Sequence, residues 1–390
     1  MPADSDDPTL FPEPQTVVTL EQKNTGVLPY QALRNMVRAK EIVSLTEPID
    51  ESQYQPASLD LRLGRYAYRV RASFLPGPKA TVMDLVPGLD GMPPIDLAGG
   101  AVLERGAVYV VELMEQLQLK NGLEGFANPK SSTGRLDVLT RLIADRSSAF
   151  DRVEKGYTGP LYLEVAPLSF SVRVAQGSRL NQIRFQRGQA TVSKGEMDRL
   201  YNSGQLVRAV EGRLPLRAEE LVPVSVDLRG ATGVIGYRAR KNTSKIDIDR
   251  INHYDPREFW EKVEPTGGRL NLDEGDFYIL ATREEVGVPA HLAAEMVPYD
   301  SSSGEFRVHY AGFFDPGFGW DGQAGGSRAV LEVRSYGVPF TLEHGQIVGW
   351  LRYSRLAGGK PPDRVYGVEI RSNYQGQGVA LAKQFKTWPR

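Results

Sequence analysis

The chain has 390 residues, with 47 lysines and arginines against 48 aspartates and glutamates, and no cysteine. That length suffices for two or three domains with cores of their own. The balanced charge offers no general field for nucleic acid, and the missing thiols exclude disulfides, thiolate metal sites and the zinc nucleobase deaminases, whose signature needs paired cysteines.

In chain order, the first 26 residues are acidic and proline-containing, without a basic or apolar leader, and read as a flexible tail with the cytoplasm as default compartment. No apolar run reaches the eighteen residues of a membrane span, so no membrane partner is expected. Pro29 to Ile42 carries apolar residues at helical spacing and opens with proline, which predicts a helix. Stretches such as Val108-Tyr109-Val110-Val111 and Leu161-Tyr162-Leu163, bounded by glycine, proline and asparagine, predict short strands in a mainly β protein. Met197 to Val207 and Pro256 to Val263 are predicted as short helices. The four histidines, His253, His291, His309 and His344, form no metal-binding pattern, and no metal ligand is assigned to the protein.

The chain repeats once. Ala57-Ser58-Leu59-Asp60-Leu61-Arg62 returns as Val224-Ser225-Val226-Asp227-Leu228-Arg229, Leu103 to Tyr109 returns as Leu272 to Tyr278, Lys130 to Arg135 as Asp300 to Glu305, and Leu163-Glu164-Val165 as Leu331-Glu332-Val333. Order and spacing hold over all four blocks, which predicts a tandem duplication: a first domain over 27–215 and a second over 216–390.

Two segments could carry chemistry. Asn128-Pro129-Lys130-Ser131-Ser132-Thr133-Gly134-Arg135 combines hydroxyls, a glycine and flanking cations, which suit phosphate oxygens; an ordinary polar turn has the same composition. Glu164 interrupts the apolar Leu161 to Val165. By alternation it would face solvent; turned inward it would be a desolvated carboxylate suited to moving protons.

With Arg152-Val153-Glu154-Lys155-Gly156-Tyr157 and Gly177-Ser178-Arg179-Leu180-Asn181-Gln182-Ile183-Arg184-Phe185, these segments resemble, in order, the motifs of the dUTPase-like superfamily, in particular the dCTP deaminase branch in a long two-copy form. The resemblance implies two β-clip or distorted-barrel domains and metal-independent hydrolysis of dCTP to dUTP and ammonia. It assigns phosphate and water contacts to Lys130, Ser131, Ser132 and Arg135, orientation of the base to Arg152, the sugar 3′-hydroxyl to Glu154 in place of the family aspartate, and activation of water to Glu164. Phe150, Tyr157, Gln182 and the closing segment with Tyr366, Tyr374 and Gln377 complete the expected nucleotide contacts. Mg²⁺ would enter only with the triphosphate, and a homotrimer is implied.

This sequence departs from the pattern at Ala149-Phe150, where the family has Thr-Ala, and at Lys155, where it has Pro. The second copy departs further: Asp300, Glu305 and Phe313 stand where the first has Lys130, Arg135 and Arg152, although Asp315-Pro316-Gly317-Phe318 and Glu332 remain. It is therefore expected to be a structural partner that donates the closing segment. The other arrangement is one shared site, with phosphate contacts from the first copy and the base from the second. A dUTPase, a bifunctional deaminase–dUTPase and a non-catalytic nucleotide-binding regulator are the competing functions.

Overall fold

The computed structural model describes residues 24–389 except 91–92, 121, 209–213, 218–219, 231–232, 298–305, 310–311, 321–325 and 368–377. The predicted Pro29–Ile42 helix is present as α1, Tyr30–Arg38, with Pro29 as its N-cap residue. Its apolar face buries Tyr30, Leu33 and Met36. Three further helices are short: α2 (Val82–Asp90), α3 (Ser131–Gly134) and α4 (Lys194–Asn202). Pro256–Val263 is not helical. It forms one 3₁₀ turn, Pro256–Glu258, and then a strand, Trp260–Val263, because Trp260 and Val263 pair with the neighbouring Gly236–Ala239 segment.

Everything else of substance is β, and the duplication is visible strand by strand. In the first copy β1 (Leu59–Leu61), β2 (Leu63–Val70), β3 (Val108–Gln118), β4 (Leu123–Pro129), β5 (Val138–Ala144), β6 (Arg152–Val153), β7 (Thr158–Pro167) and β8 (Asn181–Arg187) form two sheets. One has the order β1-β8-β4-β6, the other β2-β3-β7-β5. The second copy reproduces both with β9 (Val222–Ser225), β10 (Gly236–Ala239), β11 (Phe277–Val286), β12 (Leu292–Val297), β13 (Phe306–His309), β14 (Phe313–Phe314), β15 (Ser327–Ser335) and β16 (Ile347–Arg355). The orders are β9-β16-β12-β14 and β10-β11-β15-β13, all antiparallel. The register is kept as well: Glu164 lies opposite Val110 and Arg141, and Glu332 opposite Ile279 and His309.

The two cores interlock. Ile246, Ile248, Phe259, Trp260, Phe277, Ala382 and Phe385, all from the second half, pack in the first core with Phe170 and Phe185. Strand Ile246–Asp247 also pairs in parallel with Val172–Arg173 of the first copy. The changeover falls before residue 215, since Val192, Met197, Tyr201, Leu206 and Val207 already belong to the second core. No helix among the described residues is long and apolar enough to cross a membrane.

Candidate active site

The site begins where β4 ends. Lys130 N–H donates to the Leu180 carbonyl, and the chain then turns into α3, so Ser131 and Ser132 sit at the start of a single helical turn and Arg135 just after it. Thr133 Oγ1 pins this turn by donating to the Leu180 carbonyl at 2.8 Å. Against it stands the second copy. The Gly312 N–H donates to Asn128 Oδ1 at 2.9 Å, and the approach is so close that a β-carbon on Gly312 would lie 2.5 Å from Ser131 Oγ. Only glycine satisfies both that contact and a φ of +100°.

Two adjoining spaces open at this junction. The larger, about 530 Å³, is polar and is lined by Lys130, Ser131, Ser132, Arg179, Gln182, Asp315, Tyr366 and Lys383. The smaller, about 30 Å³, is lined by Ser131, Arg135, Gly312, Phe313, Phe318 and Glu332. Ser131, Phe313 and Tyr366 border both. The small chamber is wide enough for about two waters. Glu332 is 2% exposed, so any water beside it meets a carboxylate shielded from bulk solvent.

Cations and acids alternate around the large cavity. Lys130 pairs with the buried Asp60, and Arg179 with Asp50 at 2.8 Å. Burial, with Lys130 nearby, lowers the pKa of Lys383. Burial pushes the Asp315 carboxyl up to about 6 against the opposing pull of Arg184 and Lys130, while Asp60 adds to the rise. Gln182 is held between Ser58 Oγ, 3.0 Å from its Oε1, and the Pro129 carbonyl. Tyr366 is tied through its N–H to the Pro316 carbonyl, and its ring lies 5.6 Å from that of Phe318.

Six of the residues expected from the sequence thus meet here: Lys130, Ser131, Ser132, Arg135, Gln182 and Tyr366. The others do not. Glu164 faces inward rather than toward solvent, because β7 is covered on both faces, but its Oε1 accepts from Arg141 Nε at 2.8 Å and Nη2 at 2.5 Å. The Arg141 guanidinium is capped by the Phe150 ring 3.9 Å away. Arg152, expected to orient the base, instead reaches Glu124 and Glu154, both at 3.4 Å, and Glu154 is largely exposed. Tyr157 Oη donates to the Pro160 carbonyl at 2.6 Å and accepts from Asp145 N–H, a structural brace for its own turn. Tyr374 and Gln377 lie outside the described residues.

The sequence reading placed the base at Glu164 and held Glu332 only in the alternative of one shared site; it missed Asp315, Phe318, Arg179 and Lys383 as lining residues. The signal was present in the complementary erosion of the two copies: the first keeps Lys130-Ser131-Ser132 and Arg135, the second keeps Asp315-Pro316-Gly317-Phe318 and Glu332. Among the described residues, no three histidines or carboxylates gather in a group that could hold a metal ion.

Two interlocked β-rich copies with a polar, cation-lined cleft and a buried carboxylate at their junction form an arrangement suited to an enzyme with a small anionic substrate. Residues 24–189 match the family model described as the 2′-deoxycytidine 5′-triphosphate deaminase N-terminal domain, and residues 193–385 match that of its C-terminal domain. The crystal structure of the 2′-deoxycytidine 5′-triphosphate deaminase from Agrobacterium tumefaciens superposes with a TM-score of 0.79 at 49% identity, covering 85% of this chain and 99% of that one. Among curated proteins, the "dCTP deaminase, dUMP-forming" of Halobacterium salinarum is 34% identical over 190 residues, 46% of this chain and 91% of the relative. The similarly named protein of Corynebacterium glutamicum is 31% identical over 180 residues, 45% and 88% respectively. The chain belongs to the dCTP deaminase family and is an enzyme of that kind.

Proposed function

We propose that the chain hydrolyses dCTP to dUTP and ammonia at the junction of its two copies, with Glu332 rather than Glu164 as the general base. The observation that carries this reading is the chamber shared by Ser131, Arg135 and Glu332. A water held there by Ser131 and Arg135 gives a proton to Glu332 as its oxygen bonds to C4 of cytosine. Glu332 passes that proton to N3, then takes the proton of the new C4 hydroxyl and delivers it to the amino nitrogen, and the C4–N bond breaks to leave ammonia and a carbonyl at C4. Arg135 donates to charge developing on the tetrahedral carbon's oxygen. Lys130, Arg179, Lys383 and Ser132 take the phosphates in the large cavity, and Mg²⁺ enters with the triphosphate, coordinated by its oxygens. Asp315, at the repeat position of Glu154, takes the 3′-hydroxyl.

The names of two relatives favour a second reading, in which pyrophosphate is also released and the product is dUMP. One experiment tests both: purified protein with dCTP and Mg²⁺, followed for ammonia, pyrophosphate and nucleotide product. We expect ammonia and dUTP without stoichiometric pyrophosphate; equal release of the two would replace the product with dUMP. Run on Gln variants, the same assay tests the base. Glu332→Gln should lower kcat by about 10²- to 10⁴-fold, and Glu164→Gln, which keeps an acceptor for Arg141, should retain turnover. The reverse pattern would return the base to Glu164.

A further inference from the structure

At position 313 the second copy lost the arginine that the first keeps at 152, yet a guanidinium still stands there. It belongs to Arg184, on β8 of the first copy. Its Cζ lies 3.9 Å from the centroid of the Phe313 ring, and its Nη2 donates to Asp315 Oδ1 at 3.3 Å. Nε and Nη1 donate to the carbonyls of Ala57 and Ala294, one from each copy. Arg184 is 3% and Asp315 5% exposed, so the ion pair is shielded from bulk solvent, with Asp315 at the wall of the large cavity. Arg352, the repeat counterpart of Arg184, faces Glu295 of its own copy at 3.7 Å.

We propose that Arg184 is a positioning and specificity residue of the composite site: it reaches across the junction to brace Phe313 and to hold Asp315 as an acceptor for the substrate's 3′-hydroxyl. This rests on the junction being the place where dCTP binds. A guanidinium set over one ring and hydrogen-bonded to one carboxylate oxygen anchors that oxygen and limits the carboxylate's freedom to turn. Asp315 then presents its other oxygen toward the cavity that both Asp315 and Phe313 line. The sugar hydroxyl is a donor, so a carboxylate held in this way discriminates a 2′-deoxyribose from a sugar without the 3′-hydroxyl. A loosely held one does so less, because the side-chain freedom must be lost on binding. Arg184 touches no substrate atom; it acts through Asp315.

The readout is the ratio of kcat/KM for dCTP to that for 2′,3′-dideoxy-CTP, which lacks the hydroxyl. A uniform structural defect lowers both values and leaves the ratio unchanged. A hydrogen bond to a charged acceptor predicts a ratio of about 10 to 100 in the parent enzyme. Arg184→Met should bring the ratio close to that of Asp315→Asn, with no further fall in the double variant. Arg184→Lys, which keeps the buried charge without the fork, should give an intermediate ratio, and it carries the test if the methionine variant does not fold. An unchanged ratio in a folded Arg184 variant, beside a collapsed ratio in Asp315→Asn, overturns the role of Arg184 alone. An unchanged ratio in Asp315→Asn overturns the placement of the sugar at this junction.

Discussion

Glu164 and Glu332 occupy the same rung of the corresponding sheets in the two copies, and Glu164 has Arg141 across from it. A guanidinium 2.8 Å from a buried carboxylate holds it as half of an ion pair, and a proton acceptor so engaged is a poor base for water. Nearby, Asp151 adopts a φ of +58° and accepts from the Leu142 N–H at 2.8 Å. Burial, and to a lesser degree the charge of Glu164, pushes its carboxyl up to about 7 against the pull of the Leu142 N–H and Arg141. The folded state therefore holds this proton more tightly than the unfolded chain does. The stability it contributes is complete below the ordinary aspartate value near 4 and is lost as pH rises through about 7. Asp151→Asn keeps the acceptor, tolerates positive φ and cannot ionise. Its melting temperature relative to the parent should climb from pH 4 to 7 and level off above, by a few degrees in all; a pH-independent difference in thermal melts would refute the account. None of this was legible in the sequence. Glu164 could be read as an inward carboxylate, but its partner depended on strand register, which places Arg141 rather than Arg152 across from it.

At the scale of elements, the strands were legible because apolar runs bounded by turn residues have few alternatives, and α1 because its apolar stripe and leading proline agree. α2 was not, since Val82–Asp90 contains Pro87. The turn from β4 into α3 was readable as a phosphate-like segment, but its contact with Gly312 was not, because complementarity across a junction leaves no periodicity in either partner. That contact makes a prediction. Gly312→Ala puts a methyl group on Ser131 Oγ and should cut kcat/KM by on the order of 10²-fold, the scale of a reacting group displaced by an ångström. Gly275→Ala is the control: it has a φ of +72° and nothing within 4 Å of the added carbon, so it carries the backbone strain without the collision. Equal losses in steady-state assays of the two variants would mean that strain, not the approach to Ser131, is responsible.

For the whole molecule, the repeat announced two copies, but not that they are interdependent. Phe385 and Ala382, near the end of the chain, complete a core begun by α1, and the Ala380 carbonyl accepts from Arg135 Nη1 at 3.1 Å. Calorimetry should accordingly show one cooperative transition; two well-separated ones would contradict the shared core. A junction site within one polypeptide has its two halves permanently tethered, at an effective concentration far above that of any free protein in solution. Specific activity should then be constant on dilution, and genetic complementation should fail: co-refolded Ser131→Ala and Glu332→Gln chains would each carry one broken half in cis and could not lend each other the intact one. Recovered turnover in that mixture would mean that the halves meet between chains.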